Sequence, residues 1–205
     1  RTYFAYARMA HLLRLKAAEY TVRPTISAAA ISRPRAQKVD VCIAVGGEWS
    51  YRTYDHWPKI VHWLVTNDFC VSLVGSLNGV RQSRDIAALG LSVRSTVGKC
   101  SLPEAIGEIA NAQFFIGADG GLWHLACAIP VPSVVLFADC QIFEADGSRV
   151  TRETHDILCE TLYDDECVSS IPYSDVIKAF QRLVERTNST TELKHYGLER
   201  APGAE

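Results

Sequence analysis

The segment FFIGADGGLWHLACAIPVPSVVLF, residues 114–137, constrains the fold more than any other part of the chain. An apolar run at Phe114, Phe115 and Ile116 meets a turn containing Gly117, Asp119, Gly120 and Gly121. A helix-forming stretch follows from Leu122 to Ala128 and carries one histidine, His124. A second apolar run, Ser133–Phe137, begins after Pro132, because proline cannot donate to a central ladder. The order is strand, glycine turn, helix, strand. Such a junction leaves bare backbone N–H groups at a helix N-terminus, an arrangement suited to a phosphate. The segment predicts an α/β domain that handles a nucleotide.

The rest of the chain supports that class. Further strands are expected at Val39–Val45, Cys70–Val74, Leu91–Val93, Phe114–Ile116 and His155–Cys159, besides Ser133–Phe137. Helical spacing appears at Pro58–Thr66, Gly79–Leu89, Leu102–Asn111, Leu122–Ala128 and Tyr173–Glu185. Near-continuous apolar strands alternating with amphipathic helices imply a Rossmann-like parallel sheet with helices on both faces. Residues 1–37 read as a helix (3–16) and a proline-bearing connector, residues 38–186 as the domain itself, and residues 187–205 as a polar, frayed tail. Ligands of such sheets bind at the carboxyl ends of the strands, where strand order switches. Three glycine-bearing loops fall there: after Gly46-Gly47, at Gly75–Gly79, and at the Asp119-Gly120-Gly121 turn.

Composition narrows the function. A formal charge of −2 argues against a nucleic-acid partner. No apolar run approaches the roughly 20 residues that cross a bilayer. Seven cysteines, mostly inside apolar runs, read as reduced thiols of a cytoplasmic core, with work at the inner face of a membrane still open. Cys159 and Cys167 flank an acidic stretch read as a loop; a metal clip or disulfide there stands beside the plainer reading of two ordinary thiols. The chain opens at Arg1 with no signal-peptide pattern and reads as the later part of a longer protein, or a trimmed one.

In this context ADGGLWHLACAIPVPSVVLF resembles the signature of glycosyltransferase family 9, the heptosyltransferase-like enzymes: Asp, Thr or Gly, Gly, a large apolar residue, any residue, His. KCSLPEAIGEIANAQFFIGADGG (Lys99 to Gly121) and His56-Trp57-Pro58 resemble its flanking segments, and residues 3–37 resemble the connector between its two domains. The resemblance covers roughly residues 1–185. It implies one half of a GT-B architecture, the C-terminal domain that binds a nucleotide-diphosphate sugar, with ADP-heptose the leading donor. An N-terminal domain, outside this chain, would bring the acceptor (a glycan, lipid-linked or protein hydroxyl) and the aspartate base for an inverting transfer.

Residue by residue, the resemblance implies a diphosphate on the amides at Gly120, Gly121 and Leu122, sugar hydroxyls on Asp119, and donor contact by His124. Family members often carry threonine where this chain has Gly120. In the loop after the first strand they carry hydroxyls and a basic residue; the aligned basic position is Asp55, so Arg52 becomes the candidate leaving-group stabiliser, with Ser50 and Thr53 as hydroxyl donors. Cys100 stands where the family packs the base. Asn78 is the nearest polar substitute for its ribose-binding glutamate, and Ala138-Asp139-Cys140 replaces the usual Gly-Pro-Thr. No Asp-x-Asp motif occurs, so neither a metal nor another cofactor is expected. Two alternatives stay open: a degenerate, non-catalytic nucleotide-sugar-binding or scaffolding module, and another GT-B-like nucleotide-sugar enzyme such as an epimerase.

Overall fold

The computed structural model describes residues 39–138 and 158–195, together with Ile26. The helix and connector expected within 1–37 lie outside these, apart from Ile26. Among the described residues six strands form one sheet: β1 (Val39–Ala44), β2 (Val71–Val74), β3 (Arg94–Ser95), β4 (Ala112–Ala118), β5 (Ser133–Ala138) and β6 (Cys159–Asp164). Their spatial order is β3-β2-β1-β4-β5-β6, and every pairing is parallel. The helices are α1 (Trp57–Thr66), α2 (Val80–Ala87), α3 (Leu102–Ala110), α4 (Gly121–Ala128) and α5 (Tyr173–His195). The expected class, a Rossmann-like parallel sheet, is the observed one.

Strand alternation sorts the core into two layers. Val41, Ile43, Phe114, Ile116, Val134 and Leu136 face α1, α2 and α5, where Trp57, Ile60, Ile86 and Phe180 pack. Cys42, Ala44, Phe115, Val135 and Phe137 face α3 and α4, where Ile109, Trp123, Ala126 and Cys127 pack. Helices thus cover both faces. The chain steps outward from β1 to β3, returns to β4 and then steps the other way, so the strand order switches between β1 and β4.

Local signals explain several boundaries. Ser101 and Glu104 form a reciprocal capping box that starts α3, with a proline in its first turn. Pro58 similarly sits in the first turn of α1, where its missing N–H costs nothing. Gly46 has φ of +89°, and a Cβ there would lie 2.6 Å from the backbone of Gly79. Glycine is therefore required where the loops after β1 and β2 cross, and Asn78 ties them again by donating to the Gly47 carbonyl at 3.0 Å.

Three expectations need correction. The third strand is Arg94–Ser95 rather than Leu91–Val93; Leu91 and Val93 pack against the core as the chain climbs to the sheet edge. The sixth is Cys159–Asp164 rather than His155–Cys159, so the acidic stretch after Cys159 is largely strand and not loop. Its charge is tolerated because Glu160 pairs with Arg182 at 3.1 Å and Arg186 at 2.6 Å. Cys159 and Cys167 are both free thiols, so no disulfide joins them. The final helix continues past Glu185 to His195. Arg186 anchors the extension to Glu160, and the hydroxyls of Thr187 and Ser189 bond back to the carbonyls of Leu183 and Glu185.

Candidate donor site at the strand switch

The loops after β1 and β4 meet where strand order switches, the place at which such sheets bind ligands. After β1 the chain makes one 3-10 turn, Ser50–Arg52. After β4, Asp119 is held by its N–H to the Leu136 carbonyl at 2.9 Å, and Gly120 becomes the N-cap of α4 by accepting the His124 N–H at 3.1 Å. Asp119 therefore stands one residue ahead of the cap. Its carboxylate reaches sideways instead: Oδ2 lies 3.4 Å from Arg52 Nη1, and Oδ1 lies 4.0 Å from His124 Nε2.

Arg52 is only 22% exposed, stacked 5.5 Å from the centre of the Tyr51 ring, and its Nε is buried with no hydrogen-bond partner among the described residues. An orphaned donor on a guanidinium is costly unless something accepts from it. Beside it, the first amides of α4 (Gly121, Leu122, Trp123) have no partner within the helix. The indole of Trp123 is fully buried against Phe137 and fixes the start of α4 on the sheet, while the His124 ring remains half exposed.

The two glycines of the turn are not there for backbone freedom. Gly120 is extended (φ 164°, ψ −176°), Gly121 is helical, and a Cβ on either would meet nothing within 4 Å. What glycine provides at both is open access to the backbone.

Arg52, Asp119, Gly120, Gly121, Leu122 and His124 thus converge. The other candidates sit around them. The Thr53 hydroxyl donates to the Trp49 carbonyl at 3.0 Å, and Ser50 is exposed on the turn. Asn78 has both ends of its amide engaged, with Gly47 and with the Ser76 hydroxyl. Cys100 lies in the loop between β3 and α3 and is near enough to Cys42 of β1 to help raise that thiol's pKa. Asp55, where the family resemblance implied a basic residue, pairs with Arg81 of α2 at 3.1 Å.

A third segment, unseen in the sequence, underlies the site: the turn Val168–Ser170 after β6. The Ser169 hydroxyl donates to the Thr53 carbonyl at 2.8 Å and accepts from the Asp55 N–H at 2.9 Å. His56 Nε2 contacts the Ser169 carbonyl at 3.1 Å, and the Tyr54 hydroxyl donates to the Ile171 carbonyl at 3.1 Å. Gln82 Nε2 donates to the Tyr54 carbonyl at 2.7 Å from the other side. Asp164 sets the turn, accepting from the N–H groups of Cys167 and Glu166, which holds its carboxyl below the usual 3.8. Burial pushes the Tyr54 phenol and the Cys127 thiol upward, and the Cys42 thiol up to about 12. No local motif signals this segment, because its contacts lie more than 110 positions away in sequence.

Known proteins give this geometry its family. Residues 11–147 match the family described as glycosyltransferase family 9 (heptosyltransferase). Lipooligosaccharide heptosyltransferase 2 of Haemophilus influenzae is 32% identical over 87 residues, 40% of this chain and 25% of that protein. The structure of Escherichia coli ADP-heptose lipopolysaccharide heptosyltransferase II superposes with a TM-score of 0.63 at 17% identity, covering 80% of this chain and 54% of that one. A family 9 glycosyltransferase from Veillonella parvula gives 0.63 at 13% identity, over 75% and 48%. The E. coli heptosyltransferase WaaC with ADP gives 0.57 at 16% identity, over 72% and 45%. The chain spans about half the length of the solved structures it matches, and on its matched residues it belongs to glycosyltransferase family 9, the heptosyltransferase family.

Proposed function

We propose that the cleft between β1 and β4 binds a nucleotide-diphosphate sugar, with its diphosphate at the start of α4 and beside Arg52. The observation that carries this reading is the convergence of Arg52, with its orphaned Nε, on a helix start whose two glycines leave the backbone open. Fixed N–H dipoles and a guanidinium stabilise the charge that develops on a departing diphosphate. Asp119 would repel the diphosphate and so takes hydroxyls of the sugar, with His124 beside it. ADP is the first nucleotide to try, since WaaC is described with ADP.

The domain would then serve an inverting glycosyl transfer. An acceptor hydroxyl, deprotonated by a base on a domain outside this chain, attacks the anomeric carbon as the diphosphate leaves. Titration calorimetry with ADP-, UDP- and GDP-sugars tests the binding step. Saturable binding of one of them supports the reading, and no heat with any overturns it. One observation favours a binding module without transfer: Asp55 replaces the aligned basic residue and is paired with Arg81. Transfer assays on the chain joined to an acceptor-binding partner domain separate the two, since a module binds donor and releases no nucleoside diphosphate.

A further inference from the structure

Within the loop after β1, the turn carrying Arg52 is held by local bonds: the Arg52 N–H and the Thr53 hydroxyl both donate to the Trp49 carbonyl at 3.0 Å. The Ser50–Arg52 turn is a single 3-10 turn with no buried residue, preceded by the exposed Glu48 and Trp49 and followed by the half-buried Thr53. The backbone just after it is differently placed. Ser169 brackets Tyr54 by donating to the Thr53 carbonyl and accepting from the Asp55 N–H, at 2.8 and 2.9 Å. The same residue's carbonyl meets His56 Nε2. One serine thus engages three positions of the loop's far end, Thr53, Asp55 and His56, all within four residues of Arg52. Its own turn is anchored by Val168, which is fully buried, and by Asp164.

We propose that Ser169 is a positioning residue for donor binding: its hydroxyl locks the backbone after Arg52 and holds the guanidinium between Asp119 and the start of α4. The proposal rests on the donor-site reading for its functional consequence, but not for its mechanical one. Removing the hydroxyl leaves the Thr53 carbonyl and the Asp55 N–H to water, and the turn carrying Arg52 gains alternative positions. Arg52 then spends part of its time away from the cleft, and an anion bound there loses affinity in that proportion.

Two measurements on the full chain test this. The first is the Arg52 Nε–Hε signal by ¹⁵N NMR, assigned by its loss in Arg52→Lys. Ser169→Ala is expected to shift this signal and speed its exchange with water, and Ser169→Thr, which keeps the hydroxyl, to restore it. The second is ADP titration calorimetry. Ser169→Ala is expected to weaken ADP about fivefold, and the loss to vanish in an Arg52→Ala background, as for two groups acting through one another. A purely structural serine would give equal losses in both backgrounds, which overturns the proposal. So does an Arg52 signal that ignores Ser169→Ala. If none of ADP, UDP and GDP binds the wild-type chain while the Arg52 signal responds as stated, the clamp stands and the donor reading falls. Should Ser169→Ala not fold, Ser169→Cys keeps the size with a weak hydrogen-bonding group and carries the same expectations.

Discussion

Gly121→Ala separates a phosphate-accessible backbone from a merely convenient turn. Gly121 is the first residue of α4, its φ lies outside the left-handed region, and an added Cβ meets no atom within 4 Å. Alanine should therefore stabilise the free protein by about 0.4–1 kcal/mol, by narrowing the unfolded chain and improving helix propensity. For a domain of this size each kcal/mol moves Tm by about 2–4 °C, so a rise of roughly 1–4 °C is expected. On the proposed donor reading, the methyl group would occupy the space through which a diphosphate oxygen approaches the helix start. A hydrogen bond to a charged group contributes about 1.5–3 kcal/mol, so losing one should weaken ADP by about ten- to a hundredfold. Thermal unfolding and calorimetry on the same samples give both numbers. A fall in Tm would show that the backbone needed glycine after all. A rise in Tm with unchanged ADP affinity would show that the anion does not sit on the α4 amides, and the cradle argument would fail.

The other predictions probe charge and burial. Asp119→Asn should leave ADP bound as well or up to about threefold tighter, because a nearby negative charge is gone, yet weaken the complete ADP-sugar; calorimetry with both ligands checks the split. Asp164 has a depressed pKa from the Cys167 and Glu166 N–H groups, so its contribution to stability is present above its unfolded value and lost as pH falls through the lower folded one. Asp164→Asn should accordingly flatten the acid limb of a stability profile recorded below about pH 4, lowering stability near neutrality while leaving the acid end little changed. Cys42 and Cys127 are buried thiols with raised pKa, whereas Cys70 is exposed. A thiol reagent should modify Cys70 in the native chain and reach Cys42 and Cys127 only on unfolding, read by peptide mass analysis.

Where the sequence was legible, a local rule acted alone. The run of apolar strand, glycine turn and helix at 114–128 needs nothing from elsewhere, and both ends of that unit were read to within two residues. Pro58 and the Ser101–Glu104 box mark their helix starts in the same way. Edges were harder. β3 and β6 lie at the two margins of the sheet, where one side of the ladder is unpaired and half-buried polar residues are accepted. Glu160 looks wrong for a strand until Arg182 and Arg186 are placed over it by α5. The site divides likewise: the glycine turn was visible in the sequence, while Ser169 was not, because a serine carries no pattern that announces a partner more than 110 positions away.

The aligned acidic residue, Asp55, then takes on a different meaning. A carboxylate aimed into the cleft would compete with the diphosphate, but Asp55 is more than half exposed and turned to Arg81 on α2. The N–H of the same residue is taken by Ser169. Its backbone is thus used to fix the loop while its charge is spent outside the site. Arg52, three residues earlier, is the cation that meets Asp119, and its side chain is far less exposed than that of Asp55. A guanidinium in that position is worth more than one in water, because the surrounding protein screens it less. Moving the positive charge from the loop's end to its turn therefore does not require abandoning an electrostatic role. It requires a loop held in place, and the bonds of Ser169, Tyr54 and Gln82 tie the loop's far end to its neighbours.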